Sequence, residues 1–249
     1  MNTPSIPSSP VAIVTGASRG IGAAIARRLA ADGCAVAVNY MSGAADAEVL
    51  VTELRAGGAR AIAVRADVSR PDEVRALFDA TEQQLGQVDV LVNNAGVLKT
   101  QPLAQTSDAL YDQTFDINVR GTFNTLREAA TRLNEGGRIV NFSSTTVALN
   151  LPGYGVYIAS KAAVESLTQV FAKELRGRRI TVNAVAPGPV ATALFFEGKT
   201  DEQIQTFANM PPLQRLGEPG DIASVVGFLV SPAGSWVNGQ VLRANGGLA

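Results

Sequence analysis

Short apolar runs, β-branched or alanine-rich, recur at residues 11–15, 34–39, 61–65, 88–92, 138–142, 180–186 and 240–243, with longer stretches of helical spacing between them. Runs of this length that are apolar throughout, rather than at every second position, read as strands buried on both faces. The longer stretches predict helices over 20–31, 44–56, 71–85, 107–133 with a break, 154–176 and 219–229. Pro71 suits the first turn of its helix, and Ser69 is placed to cap it. Seven strands alternating with helices predict one α/β domain, a parallel seven-stranded sheet with helices on both faces. No composition break or internal repeat divides the chain. Residues 1–10 are Pro/Ser-rich and uncharged and read as a loose tail, so the domain covers 11–249. The least regular stretch, 187–219, contains Gly188, Pro189, Pro211, Pro212 and Gly217. A long irregular segment late in such a domain reads as a lid over an active site, about 188–218, with a helical interior near 201–209.

Composition narrows the partner. With 46% hydrophobic residues the 249-residue chain can bury a large core. Lys and Arg number 21 against 22 Asp and Glu, without a long basic run, so neither nucleic acid nor an anionic membrane is expected as the main partner. A small molecule fits better. Cys34 is the single cysteine, which excludes an intrachain disulfide and suits a reducing cytoplasm. The opening residues lack the basic start and apolar stretch of a secretion signal, and no apolar run approaches the roughly 20 residues of a membrane span.

The first strand runs into Gly16, Gly20 and Gly22 and then into an alanine-rich helix. In that context a glycine turn lets a pyrophosphate approach backbone N–H groups at a helix N-terminus. The spacing is G-x-x-x-G-x-G, not the common G-x-G-x-x-G. Further on, Tyr157 and Lys161 stand four residues apart at the start of a helix, on one face, in a chain with no histidine. A nearby cation favours the ionised form of a phenol whose ordinary pKa is about 10, so the pair can move a proton without an imidazole. With histidine absent and no cysteine pair or carboxylate cluster at ligand spacing, no metal site is expected.

Thr15-Gly16-Ala17-Ser18-Arg19-Gly20-Ile21-Gly22, Asn93-Asn94-Ala95-Gly96, Asn118, Ser144, Tyr157 with Lys161, and Pro187-Gly188 stand in the order and spacing of the short-chain dehydrogenase/reductase family. The resemblance runs from about Val11 to Ala249 and implies a doubly wound, Rossmann-type fold. It implies Tyr157 as general acid for carbonyl reduction and base for the reverse. Lys161 would lower the phenol pKa and bind the nicotinamide ribose, Ser144 would hold the substrate oxygen, and Asn118 would support a proton relay. Ser143 stands beside Ser144; the thirteen-residue interval to Tyr157 matches the family for Ser144, and strand alternation sends the two side chains to opposite faces.

For the cofactor, the resemblance points to Gly16, Ser18, Arg19, Gly20, Ile21, Gly22, Asn39, Ser42, Asp67, Val68, Asn94, Ala95, Gly96, Pro187, Gly188, Val190 and Thr192, together with Tyr157 and Lys161. Asp67 reads equally as the start of a turn, and Asn93 and Asn94 equally as local backbone partners. The carboxylate that would repel a 2′-phosphate is missing at the end of the second strand, where the sequence is Val38-Asn39-Tyr40-Met41-Ser42, and Arg19 adds a cation in the glycine turn. NADP(H) is therefore expected over NAD(H).

Val97, Leu98, Val147, Leu149, Leu151, Leu194, Phe195 and Phe196 fall in loops that the family fold places around the substrate, which favours an apolar ketone or secondary alcohol over a sugar. The overall pattern is most similar to 3-oxoacyl-carrier-protein reductases, so a 3-oxoacyl thioester is among the candidates; Arg127 and Lys173 would be the cations facing a carrier protein. Relatives commonly form tetramers, and Trp236 reads equally as an interface or a core residue. Two other readings stay open: a catalytically silent nucleotide-binding regulatory protein, and a lyase or isomerase on the same fold.

Overall fold

Strands β1 (Val11–Val14), β2 (Ala35–Tyr40), β3 (Ala61–Arg65), β4 (Val90–Asn93), β5 (Arg138–Phe142), β6 (Thr181–Pro187) and β7 (Val241–Ala244) form one sheet in the order β3-β2-β1-β4-β5-β6-β7. Every neighbouring pair is parallel. The computed structural model describes residues 9–249. Of the expected tail over 1–10, all but the last two residues lie outside the described residues. Strand order reverses between β1 and β4, which opens a crevice at their C-terminal ends, where ligands of such sheets sit.

Among the described residues ten α-helices fill the connections: α1 (Gly20–Ala31), α2 (Ala44–Ala56), α3 (Pro71–Gln84), α4 (Asp108–Phe115), α5 (Gly121–Arg132), α6 (Thr146–Leu149), α7 (Gly155–Glu174), α8 (Ala193–Phe196), α9 (Asp201–Asn209) and α10 (Pro219–Val230). One face of the sheet packs Val14, Val36 and Val140 against Ile25 and Leu29 of α1, Leu50 of α2 and Ile222 of α10. The opposite face packs Ile13, Leu91 and Ile139 against Leu77 and Phe78 of α3, Leu126 of α5 and Phe171 of α7. Burial from both sides explains why the strands read as continuous apolar runs.

The break expected within 107–133 is a π-helical turn over Asp116–Arg120, joining α4 to α5. Ser69 does not cap α3: its hydroxyl is spent on Asp67 Oδ1 at 2.7 Å, and Arg70 occupies the cap position without a side-chain bond. The short helices α6 and α8 carry no periodicity long enough to predict and emerge only from the loops they fold.

Candidate active site

The turn after β1 is built for a close approach. Gly16 and Gly20 take φ of +61° and +57°, left-handed backbone that glycine adopts without a Cβ penalty. Helix α1 starts at Arg19 with no side-chain cap and no acidic residue in its first turn, which leaves its N-terminal dipole open to an anion. Thr15, fully buried, organises the neighbouring strand end: its Oγ1 accepts from Asn94 N and Ala95 N at 3.0 Å each. Asn94 Nδ2 donates to the carbonyls of Thr15 and Gly16, both at 3.0 Å, so Asn94 ties the end of β4 to the turn. Asn93 is buried between Asn141 and Thr125 and is structural.

Beyond the turn, Asn39 differs from expectation. Its side chain is buried, with Oδ1 accepting from Gly16 N at 3.2 Å and Nδ2 donating to the carbonyls of Val64 and Ala66. Those bonds hold the glycine turn in place and leave no exposed amide for a ribose. Arg19 and Ser42 are both exposed, and Ser18 lies beside Gly43, so the turns after β1 and β2 meet. Asp67 Oδ1 accepts from Ser69 N and Oγ at 2.9 and 2.7 Å and so closes a local turn. Val68 is buried against Gly121.

Ser144, Tyr157 and Lys161 come together on a cavity of about 190 Å³ that also admits Ile21, Asn94 and Gly96. Ser144 Oγ accepts from Thr146 N at 3.3 Å and Thr146 Oγ1 at 2.9 Å, which leaves its own proton to donate. Ser143 Oγ donates to Glu165 Oε1 at 2.6 Å, although Ser143, like Ser144, borders the cavity. Lys161 Nζ donates to the Phe142 carbonyl at 2.8 Å. Asn118, in the π-helical turn, clamps Val97 by its N–H and its carbonyl at 2.8 and 3.0 Å and donates to Ser160 Oγ at 3.0 Å. A π-turn at such a place recurs at functional sites. Gly96 has Asn118 Oδ1 and Lys161 Nζ as its neighbours.

The electrostatics correct one expectation. Burial pushes the Tyr157 phenol up to about 12; a hydrogen bond with Ser144 opposes this and the adjacent Tyr154 adds to it. Lys161 does not bring the phenol down here, because its ammonium is turned to the Phe142 carbonyl and is itself pushed down to about 8 by burial. The tyrosine is thus held as a neutral acid at working pH. The lysine has a stability signature. The unfolded chain keeps this proton up to about 10.5 and the folded chain only to about 8, so the lysine's cost to folding is constant below pH 8 and is relieved as pH rises through that window. Lys161→Met is expected to gain most over the parent, in urea midpoint without cofactor, at pH 7.5 and less at pH 9.5. An advantage that does not change with pH would show that the ammonium is not strained by burial.

The segment expected as a lid is pinned at its base, where Val190 bridges Gly217 through Ala191 N to Gly217 O and Gly217 N to Pro189 O, both 2.8 Å. Its interior helix α9 starts at a capping box of Thr200 and Gln203. Pro187, Gly188, Val190 and Thr192 all line the cavity, and Thr192 also caps α8, accepting from Phe195 N at 3.2 Å. Of the apolar residues expected around a substrate, Val97, Leu98, Leu149, Leu151, Leu194 and Phe195 line the cavity, whereas Val147 does not and Phe196 is exposed. Tyr154, Phe207, Met210 and Leu248 also line it and were not anticipated. The spacing of Tyr154 one turn before Tyr157 could have revealed it; nothing local marks Leu248, which the C-terminal chain brings in from beyond β7. Trp236 is 97% exposed, which excludes the core role within this chain. Among the described residues no helix is long and apolar enough to cross a membrane, and no three His, Cys, Asp or Glu residues cluster to hold a metal.

Strand order, open helix terminus and glycine turn together define a Rossmann-type protein of the dinucleotide-binding class. Residues 16–249 match a family model described as Enoyl-(Acyl carrier protein) reductase. A short-chain type dehydrogenase/reductase of Picea abies is 48% identical over 247 residues, covering 95% of this chain and 91% of the relative. An Arabidopsis thaliana protein named NADPH-dependent aldehyde reductase-like protein, chloroplastic, is 47% identical, covering 95% of this chain and 93% of the relative. Among solved structures, a blue fluorescent protein from a metagenomic library in complex with NADPH superposes with a TM-score of 0.92 at 42% identity, covering 96% and 98% of the two chains. The chain belongs to the short-chain dehydrogenase/reductase family.

Proposed function

We propose that the protein is an NADP(H)-dependent oxidoreductase that reduces small apolar carbonyl compounds to alcohols. The observation that carries this reading is the meeting of Tyr157, Ser144 and Lys161 on one largely apolar cavity beside the uncapped start of α1. The glycine turn fits a pyrophosphate: Gly16 and Gly22 let the turn, the end of β4 and the helix pack closely, Gly20 is left uncrowded, Ser18 and Ile21 flank it, and no carboxylate stands in the first turn of the helix. Bound NADPH supplies the hydride. Ala95, Gly96, Pro187, Gly188, Val190 and Thr192 would flank its nicotinamide end and Lys161 its ribose hydroxyls, with Val68 near the adenine. Ser144 holds the carbonyl oxygen with its hydroxyl proton, and Tyr157, neutral at working pH, gives its proton to the developing alkoxide. Asn118 fixes the loop under Lys161 and supports the relay that restores that proton. Alcohol oxidation needs the ionised phenol, so its rate should climb with pH while reduction does not.

The reading is tested by NADPH oxidation with a panel of aldehydes, ketones, diketones and 3-oxoacyl thioesters, the last being the finer substrate reading. NADPH binding without turnover on any of them would favour the regulatory alternative. Arg19 and Ser42, both exposed beside the end of β2, are the residues we assign to the 2′-phosphate. Arg19→Ala is expected to weaken NADPH about tenfold and NADH within about twofold, read by fluorescence titration; equal losses would refute the phosphate contact. The exposed Trp236 supports self-association as a dimer or tetramer, which sedimentation measures directly. The single buried cysteine, Cys34, fits a reducing compartment such as the cytoplasm.

A further inference from the structure

The polar side chains of the cavity wall are almost all committed to the protein itself. Asn94 is bonded to Thr15 and Gly16, Lys161 to the Phe142 carbonyl, Ser143 to Glu165, Thr145 to the Ala186 carbonyl and Thr146 to Ser144. Tyr154 is different. It lines the same cavity, yet its phenol makes no hydrogen bond to any of the described residues, and burial alone pushes its pKa above the ordinary range. A hydroxyl that the fold leaves without a protein partner on the wall of a largely apolar cavity is free to donate to a ligand acceptor.

Its position is fixed by the backbone rather than by its own hydroxyl. Tyr154 is the residue from which α7 starts, and its N–H bonds the Leu151 carbonyl. Gln101 N donates to the Gly153 carbonyl at 2.7 Å, and Leu103 packs so tightly on Gly155 that a methyl there would lie 2.8 Å from it. Tyr157 follows by three residues, so both side chains leave the same face of the helix. The rings meet edge to face with centroids 6.4 Å apart, and the Tyr154 phenol is close enough to oppose ionisation of Tyr157. Two phenols therefore face one small cavity, of which one serves the reacting oxygen.

We propose that Tyr154 is a specificity-determining residue, which donates a hydrogen bond to a second substrate oxygen one or two carbons from the reacting carbonyl. The favoured substrates are then oxygenated carbonyl compounds, such as 1,2- and 1,3-dicarbonyls or hydroxyketones, over plain ketones of the same size. This rests on the reductase reading given above. A cavity built to hydrogen-bond a substrate oxygen discriminates strongly against the analogue lacking it, because the protein group is left unpaired. Apolar walls alone, as formed by Leu149, Leu151 and Phe207, discriminate weakly between such analogues.

The test compares kcat/KM for pentane-2,3-dione with kcat/KM for pentan-2-one, in the parent protein and in Tyr154→Phe, with NADPH saturating. The diketone is intrinsically more reactive, and that advantage cancels when the two proteins are compared. The phenylalanine keeps the ring and its packing, so a role in folding alone would not move the ratio. The diketone-to-ketone ratio is expected to fall about tenfold in the variant, and a change below about threefold overturns the proposal while leaving the reductase reading intact. Failure of the parent protein to turn over either compound, or any other carbonyl in the panel, would overturn that reading and the proposal with it.

Discussion

Tyr157→Phe is expected to lower kcat for carbonyl reduction by about 10²–10⁴-fold while holding the Kd for NADPH within about twofold. The substitution removes only the hydroxyl. The phenyl ring preserves the cavity wall and the edge-to-face packing on Tyr154, so the loss reports chemistry rather than collapse. The phenol is buried in apolar surroundings that push it to about 12, well above working pH, so nearly every molecule carries the proton needed for reduction. On the proposed mechanism, Ser144 offers a hydrogen bond to the carbonyl oxygen but has no replacement for the proton assigned to Tyr157. Stopped-flow measurement of NADPH oxidation, with cofactor affinity measured separately, checks both halves of the expectation. A loss of less than tenfold would show that another group supplies the proton, and Tyr154, facing the same cavity, would be the first to test.

The fold was readable because a sheet buried on both faces writes itself as continuous apolar runs, and all seven strands fall within a residue or two of those runs. Edges shifted where the apolar run and the hydrogen-bonded ladder do not coincide: the second run begins at Cys34 but the strand at Ala35, and it extends to Tyr40. Ser144, Tyr157, Lys161 and Asn94, marked by their motif spacing, share one cavity, and Asn118 does not line it. Spacing could not anticipate what each side chain is bonded to. The family resemblance points to Asn39 as a cofactor contact, but its amide is used to brace the Gly16 turn. The effect expected of Lys161 on Tyr157 failed for a similar reason. Sequence gives the separation of two groups along a helix, whereas their pKa values depend on desolvation and on the Phe142 carbonyl that competes for the ammonium. Phe207, Met210 and Leu248 reach the cavity only through the path of the 188–218 segment and of the chain after β7, which no local pattern encodes.

Gly22→Ala is expected to carry the second large effect, through shape rather than chemistry. Gly22 lies in the first turn of α1, and a methyl there would sit 2.5 Å from the Gly16 carbonyl oxygen and 2.6 Å from Asn94 Nδ2. Neither neighbour can yield cheaply. The Gly16 carbonyl is part of the turn that Asn39 braces, and Asn94 Nδ2 is already bonded to two carbonyls across the β1–β4 crevice. Overpacking of this kind typically costs about 1–3 kcal/mol, and here the displaced atoms are those that shape the pyrophosphate turn. The variant should therefore melt several degrees lower and bind NADPH at least about tenfold more weakly. Gly220→Ala, in the first turn of α10, is the matched control: nothing lies within 4 Å of the added methyl, and alanine is the better helix former, so stability should hold or rise slightly. Thermal denaturation and NADPH titration of both variants separate the two cases. If Gly22→Ala bound NADPH as tightly as the parent, the close approach of helix and turn would be a packing feature of the fold, and the assignment of the cofactor's pyrophosphate to this turn would fail.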